Sequence, residues 1–225
     1  MELGVKSQTP YTLTLAEVGL LPLEVEALFL TIRYVTHIQQ LDDSRLPKQA
    51  YRLSRTSGWY TDVTRWAEAW GLPEHEWKKD PKALRKILEA RALKHLWRNS
   101  SPRLQYYKRD VNAMQAYGEQ EYMRAPISLK LRQSIARYRL SSHHLDVEEG
   151  RWKQIERKDR ICTICDSGSI ENEYHVFIAC RAYVHIRIEH QILVDDLHDL
   201  FKMPPKQLGH YILAIERKKL EILDI

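Results

Sequence analysis

Cys162, Cys165, His175 and Cys180 form the pattern C-x2-C-x9-H-x4-C, and all three cysteines of the 225-residue chain fall inside it. Thiolates and a neutral imidazole are the donors that a four-coordinate zinc ion prefers, and the close Cys pair lets one tight turn offer two sulfurs to one ion. This pattern restricts the fold more than any other feature, because its four donors must converge on a single point. The spacing also predicts what the ion does. Structural sites are closed by four protein ligands, whereas hydrolytic zinc keeps a position open for water. Four ligands are present, and nothing in the spacing turns Glu171 or Glu173 toward the metal as a general base. The expected cofactor is therefore a structural Zn2+, and the chain is expected not to be an enzyme. A five-residue step turns about 140° around an α-helix, so His175 and Cys180 need a local irregularity, or a change of chain direction near Cys180, to face one ion. Arg157, Lys158, Arg160 and Arg181 flank the thiolates and are placed to offset their charge. His143 and His144 are further imidazoles, but they lie far from the Cys pair in sequence and adjacent side chains diverge.

Three cysteines cannot all pair within one chain, which points to a reducing compartment, nucleus or cytoplasm. The segment Met1 to Pro10 has no cationic stretch leading into an apolar run, and no run of about 18 apolar residues occurs, so neither secretion nor membrane insertion is expected. The formal charge is +5, but it is unevenly spread: residues 78–139 carry sixteen Lys or Arg against five Asp or Glu. A basic segment of that size is the electrostatic footprint of a phosphate backbone, although any single run of charges is more commonly a solvated helical face; the expected partners are RNA, DNA or both.

Only 8 Gly and 9 Pro, with 29% charged residues, favour helix over sheet. The fold class expected is mainly α, a multi-helix bundle with a small zinc-stapled C-terminal module. Leu13 to Val18 form a short apolar segment stopped by Gly19. A core helix starts at Pro22 and carries Leu23, Val25, Leu28, Phe29, Ile32, Val35, Ile38 and Leu41, mostly at three- and four-residue steps. Shorter helices follow over about 46–54 and 59–70. Asp80-Pro81 starts another that reaches about Arg98, with Leu84, Ile87, Leu88, Ala92, His95 and Leu96 inward and Lys82, Arg85, Lys86 and Glu89 outward. Tyr106-Tyr107-Lys108-Arg109 places aromatics beside bases, a combination that stacks on nucleobases and neutralises phosphates, or that half-buries its tyrosines at a domain edge. Helices are then expected over about 111–124 and from Ile127 to Tyr138. The second is flanked by Lys130 and Arg137 on one side and by Arg132 and Arg139 on the other. The stretch 141–152 reads as turns, 175–193 as helix, and a last helix runs from about Gln207 to Leu223. The residues expected to meet nucleic acid are thus Lys82, Arg85, Lys86, Tyr107, Lys108, Arg109, Lys130, Arg132, Arg137 and Arg139.

The order of these segments resembles a known family. Leu20-Leu-Pro-Leu-Glu24, Ile32-Arg-Tyr34, Gly58-Trp-Tyr-Thr-Asp62-Val63 and Leu104 with Tyr107-Lys108 are similar to the region C-terminal to the polymerase in non-LTR (LINE-type) retrotransposon reverse transcriptases. The run Leu129-Lys-Leu-Arg132 to His143, then Glu149-Gly-Arg-Trp152, Arg160-Ile-Cys162-Thr-Ile-Cys165 and Glu171-Asn-Glu-Tyr-His175-Val-Phe-Ile-Ala-Cys180 resembles that family's pre-cluster helix and Cys-Cys-His-Cys cluster. The resemblance implies a helical thumb- and linker-like region over 1–125. Over 126–225 it implies a basic helix, a zinc cluster and C-terminal helices. It further implies that the chain holds template RNA or target DNA, beside a reverse transcriptase core in the parent element. The paired catalytic aspartates of the polymerase palm and an endonuclease carboxylate and lysine set are absent, and Arg181 stands where relatives often have proline. A second reading is a zinc-stapled helical module for protein partners.

Overall fold

The computed structural model describes residues 3–56, 58–98, 101–112 and 118–223. The chain is mainly α-helical, with the Cys/His cluster on its C-terminal side. The helices are α1 (Tyr11–Glu17), α2 (Leu23–Gln40), α3 (Leu46–Ser54), α4 (Trp59–Ala69), α5 (Pro81–Arg98), α6 (Pro102–Tyr106), α7 (Glu121–Arg124), α8 (Leu129–Arg139), α9 (Asp146–Trp152), α10 (Val184–Glu189), α11 (Leu197–Phe201) and α12 (Pro205–Ile222). Among the described residues, extended pairing is limited to two isolated antiparallel bridges, Val18 with Glu119 and Ile161 with Ile170. No described helix is long and apolar enough to cross a membrane.

Two compact units form, one from Gly19–Asn99 and one from Met1–Val18 together with Ser100–Ile225. These bounds differ from a division at residue 125. Residues 101–112 and 118–124 and the first helix share buried groups with α8, as described below, so they belong with the part that carries the Cys/His cluster.

The unit over 19–99 is built on α2. Val25, Leu28, Ile32 and Val35 recur at three- and four-residue steps and are fully enclosed, the spacing that puts side chains on one helix face. Across from them α5 presents Leu84, Leu88, Ala92 and Leu96. Asp80 starts α5 by accepting from the backbone N–H groups of Lys82 and Ala83 at 2.9 and 3.3 Å, which satisfies donors that the first turn leaves without partners. Tyr51, Tyr60 and Trp77 close one end with edge-to-face contacts at 5.3 and 6.2 Å between ring centroids.

In the split unit α8 and α12 lie side by side. A Cβ at Gly209 would meet Leu131 at 3.0 Å, so the absence of a side chain there sets the approach of the two helices. Ser128 caps α8, and Leu131, Ile135 and Tyr138 are buried as their spacing predicts. Three segments depart from their sequence reading. The helix expected over 111–124 is interrupted: Asn112 leaves helical geometry (φ −124, ψ 61) and only Glu121–Arg124 is helical beyond it, while residues 113–117 lie outside the described part. The stretch read as turns contains α9, whose first N–H, from Asp146, is accepted by the Glu171 carboxylate at 2.8 Å. The region 175–193 is not one helix but a π-helical turn (His175–Ala179), a 3-10 turn (Arg181–Tyr183) and α10.

Candidate metal centre and basic surfaces

Residues 160–171 fold back on themselves. Cys162 N–H donates to the Ser169 carbonyl at 2.8 Å and Glu171 N–H to the Arg160 carbonyl at 2.8 Å. That return puts Cys162 and Cys165 at its closed end. His175 comes from the π turn, in which the Cys180 N–H reaches the His175 carbonyl, five residues back, at 2.5 Å. The wider turn is the irregularity that the five-residue spacing demands. An i→i+5 bond spreads one turn over more residues than an α-turn, and Cys180 then leaves helical geometry (ψ 120) at its end. The four donor atoms all lie within 4.8 Å of one another, and all four residues are buried. A tetrahedral zinc with sulfur ligands at about 2.3 Å separates its donors by roughly 3.7 Å, so the four side chains can hold a metal ion with small adjustments.

The electrostatics fit the ligand forms. Burial pushes the Cys162 thiol up and the Cys180 thiol up to about 12. At Cys165 burial also acts upward, but hydrogen bonds from Ser167, Cys180 and Cys162 together outweigh it and bring the thiol down. Burial, aided by the charge of Arg187, lowers His175 and so favours the neutral imidazole that coordinates metals. Its Nε2 lies 3.3 Å from Cys165 Sγ. A dication reverses the burial penalty on the thiols, since a coordinating thiol is deprotonated outright.

Supporting residues beyond the ligands were not picked out by sequence reasoning. Ser167 Oγ is 3.1 Å from Cys165 Sγ, Asn172 Oδ1 accepts from His175 N–H at 2.8 Å, and Arg187 donates to the Cys180 carbonyl at 2.7 Å. The Ser-Gly pair two and three residues after Cys165 was the available signal for the first of these. Of the four flanking cations expected to offset the thiolates, Arg157 is exposed and the other three have partners of their own. Arg160 donates to the carbonyls of Val147 and Ile155 at 2.7 Å, Lys158 pairs with Glu156, and Arg181 with Asp166.

Glu171 and Glu173 are turned to other partners. Glu171 receives Asp146 N–H and Lys219 Nζ, each at 2.8 Å. Glu173 Oε1 is 2.8 Å from His143 Nε2. His143 is fully enclosed, stacks on Tyr138 at 4.8 Å, and accepts the Leu145 N–H on Nδ1. Both of its ring nitrogens are used, which leaves neither for a metal. The cluster is tied to the helical core through Phe177, whose carbonyl accepts from Tyr211 at 2.5 Å and whose ring meets Tyr138 edge-on at 4.8 Å.

The ten residues expected to meet nucleic acid separate into three groups. Lys82, Lys86, Arg109 and Lys130 are exposed and Lys108 is half-buried, although Arg109 is paired with its neighbour Asp110 at 2.6 Å. Arg85, Arg132 and Arg137 are half-buried and engaged. Arg85 lies between Glu26 at 3.2 Å and Glu89 at 3.3 Å, Arg132 donates to the Ala125 carbonyl at 3.0 Å, and Arg137 sits 3.2 Å from Glu216.

Tyr107 and Arg139 are corrections. Tyr107 is fully buried and donates to Glu17 Oε2 at 2.5 Å, so its ring has no face to offer a base. Arg139 is 4% exposed. Its guanidinium binds both oxygens of Glu17, with Nη2 also on Gln120 Oε1 at 2.7 Å, and it stands over the rings of Tyr122 and Phe201 at 5.5 and 5.7 Å. Burial alone would lower its pKa, but the Glu17 carboxylate outweighs that and raises it. Arg139 is therefore a core cation rather than a phosphate contact. Lys82, Arg85 and Lys86 belong to the unit over 19–99 and the other seven to the split unit. Compared with known proteins, the chain matches no family model, no curated protein and no solved structure.

Proposed function

We propose that the chain is a zinc-binding, nucleic-acid-binding protein, acting as the non-catalytic C-terminal part of a retroelement reverse transcriptase would: it holds RNA template or target DNA and performs no chemistry itself. The observation that carries this reading is the cationic excess of residues 78–139, several of whose carriers, Lys82, Lys86, Lys108 and Lys130 among them, make no ion pair among the described residues. Zinc is the metal that three thiolates and an imidazole in a closed set select. The carboxylates of Glu171 and Glu173 are committed to His143, Lys219 and the start of α9, an arrangement that suits a staple rather than a hydrolytic centre.

Binding of RNA and DNA to the full chain between about 50 and 200 mM salt tests the reading. Phosphate contacts predict a steep loss of affinity as salt rises. Absence of binding at the low end would defeat it and leave a second reading, a zinc-stapled module for protein partners. The second reading is favoured by Leu23, Leu30 and Tyr34, which lie 73%, 55% and 55% exposed at seven- and four-residue steps along α2.

A further inference from the structure

The unit over 19–99 contains a cleft of about 1010 Å3. Six cationic side chains, Arg33, Lys48, Arg52, Arg55, Lys78 and Lys79, line it against the carboxylates of Glu74 and Asp80. The cations arrive from the C-terminal half of α2, from α3 and from the segment before α5. None of the six was singled out individually in the sequence; Lys78 and Lys79 open the basic run 78–139, and the other four come from residues 33–55, outside it. From this convergence of charge we infer that the cleft is a track for the phosphodiester backbone of single-stranded nucleic acid. The inference rests on the nucleic-acid reading above and gives it a site that the basic run 78–139 does not define.

Half of that charge is paired: Arg52 is 2.5 Å from Asp43 and Lys79 is 3.9 Å from Glu76, surface pairs of the kind that a polyanion can displace. Asp80 is occupied as the cap of α5, and Glu74 is 4.0 Å from Arg55, a long contact in which both side chains are about half exposed. Arg33, Lys48 and Lys78 make no ion pair among the described residues. Arg33, Arg52, Arg55, Lys78 and Lys79 are all exposed, so a polyanion can reach them. Several are held in place without being neutralised. Lys48 Nζ is bound to the Gln39 carbonyl, and the guanidinium groups of Arg33 and Arg55 lie over the rings of Phe29 and Tyr60 at 5.7 and 5.9 Å.

The aromatic residues of the cleft decide what is read. Tyr51 and Trp77 are 6% and 2% exposed, and the Trp77 indole N–H is spent on the Leu72 carbonyl at 3.0 Å. Their faces are closed to stacking, so the cleft offers charge to a backbone and little to a base; sequence-independent binding follows. The space lies at the upper end of the roughly 300–1,000 Å3 of small-molecule sites and lacks their apolar lining. A duplex presents its phosphates on a convex surface whose major groove alone is about 12 Å wide, which a concave, cation-lined cleft does not match.

The test is fluorescence anisotropy of the full chain with labelled oligouridylate and oligocytidylate across a salt series. Each lost single-strand phosphate contact reduces the slope of log affinity against log salt by about 0.7. Arg33→Gln with Lys78→Gln should therefore flatten it by about 1.4, equally for both oligonucleotides. Arg52→Gln with Lys79→Gln is a second pair, taken from α3 and from the segment before α5, and unchanged melting temperatures certify both pairs as folded. If the parent binds with a steep slope that both pairs retain, while Lys108→Gln with Lys130→Gln in the split unit loses it, the cleft is not the site and nucleic-acid binding stands. If the parent does not bind at low salt, both readings fall. Displacement of the oligonucleotide by inorganic triphosphate at equal phosphate concentration would overturn the inference in favour of a compact polyphosphate.

Discussion

Removing one partner of the Glu17–Arg139 pair should cost far more than an ordinary surface substitution. The two side chains are 0% and 5% exposed, and the pair is completed by Tyr107 and Gln120. Glu17→Gln keeps the shape of the carboxylate but leaves the Arg139 guanidinium enclosed with only neutral acceptors. Breaking a buried pair in this way costs about 3–5 kcal/mol. For a unit of this size 1 kcal/mol moves the midpoint by roughly 2–4 °C, so the transition of the split unit should fall by at least about 6 °C. Arg139→Met strands the carboxylate instead and should cost a similar amount. The double variant Glu17→Gln, Arg139→Met should be destabilised by clearly less than the sum, with a coupling of about 2 kcal/mol or more. Denaturant melts of the four proteins, with metal content followed in parallel, measure all of these. Because the pair is dry, its contribution should hardly change with added salt. An Arg139→Gln protein that melts within about 1 °C of the parent yet binds RNA less tightly would refute the argument, for it would place the guanidinium in solvent.

Cys165→Ser, or chelation, should lower zinc from about one ion per chain and expose residues 155–195 to proteolysis, because metal affinity in small zinc modules is partly folding free energy, on the order of 10 kcal/mol; metal analysis of the native protein that finds no zinc would sink this. Gly150→Ala should cost about 1–3 kcal/mol, since a Cβ there would meet the Arg160 side chain at 2.7 Å and dislodge its bonds to the Val147 and Ile155 carbonyls. Gly118→Ala, with open space around the Cβ, is the control, and equal melting temperatures for the two variants would contradict the packing argument. The Lys6 ammonium, 2.7 Å away, is the main cause that holds Glu149 below its ordinary carboxylate pKa. Its contribution is therefore present above the ordinary value of about 4.3 and is lost as pH falls through the lower folded value. Lys6→Met should cost less than about 1 kcal/mol near neutral pH, and the difference from the parent should vanish under acid; a gap that widens on acidification would contradict it.

Helices with a strong 3.6-residue period were legible in the sequence: α2, α5 and α12 begin and end within two residues of where their apolar stripes and prolines put them. The metal ligands were legible because their spacing encodes both the donor set and the need for a break after His175. Tyr107 and Arg139 were misread for one reason. What decides their environment is Glu17, separated from them by 90 and 122 residues, and no local pattern announces such a partner. Helix α9 was hidden in the same way, its start being fixed by a carboxylate 25 residues further on. The cationic cleft escaped notice because its charges come from separate segments, and a linear count of charge dilutes what folding concentrates.

The unit that contains the metal centre is discontinuous in the chain, with residues 19–99 inserted between its first helix and the rest. On a ribosome that order becomes a schedule. The inserted segment has all its own contacts in hand as soon as it is made, and can fold first. Glu17 must wait for Arg139, and at about 5–20 residues per second the 122 residues between them take roughly 6–24 s to synthesise. Through that interval the first helix is an amphipathic strand of chain with no core to enter, and it is held near the later helices only by tethering, whose entropic cost grows slowly with length. The buried ion pair can thus form only after the inserted segment has been made, the step at which the two separated parts of the unit are joined.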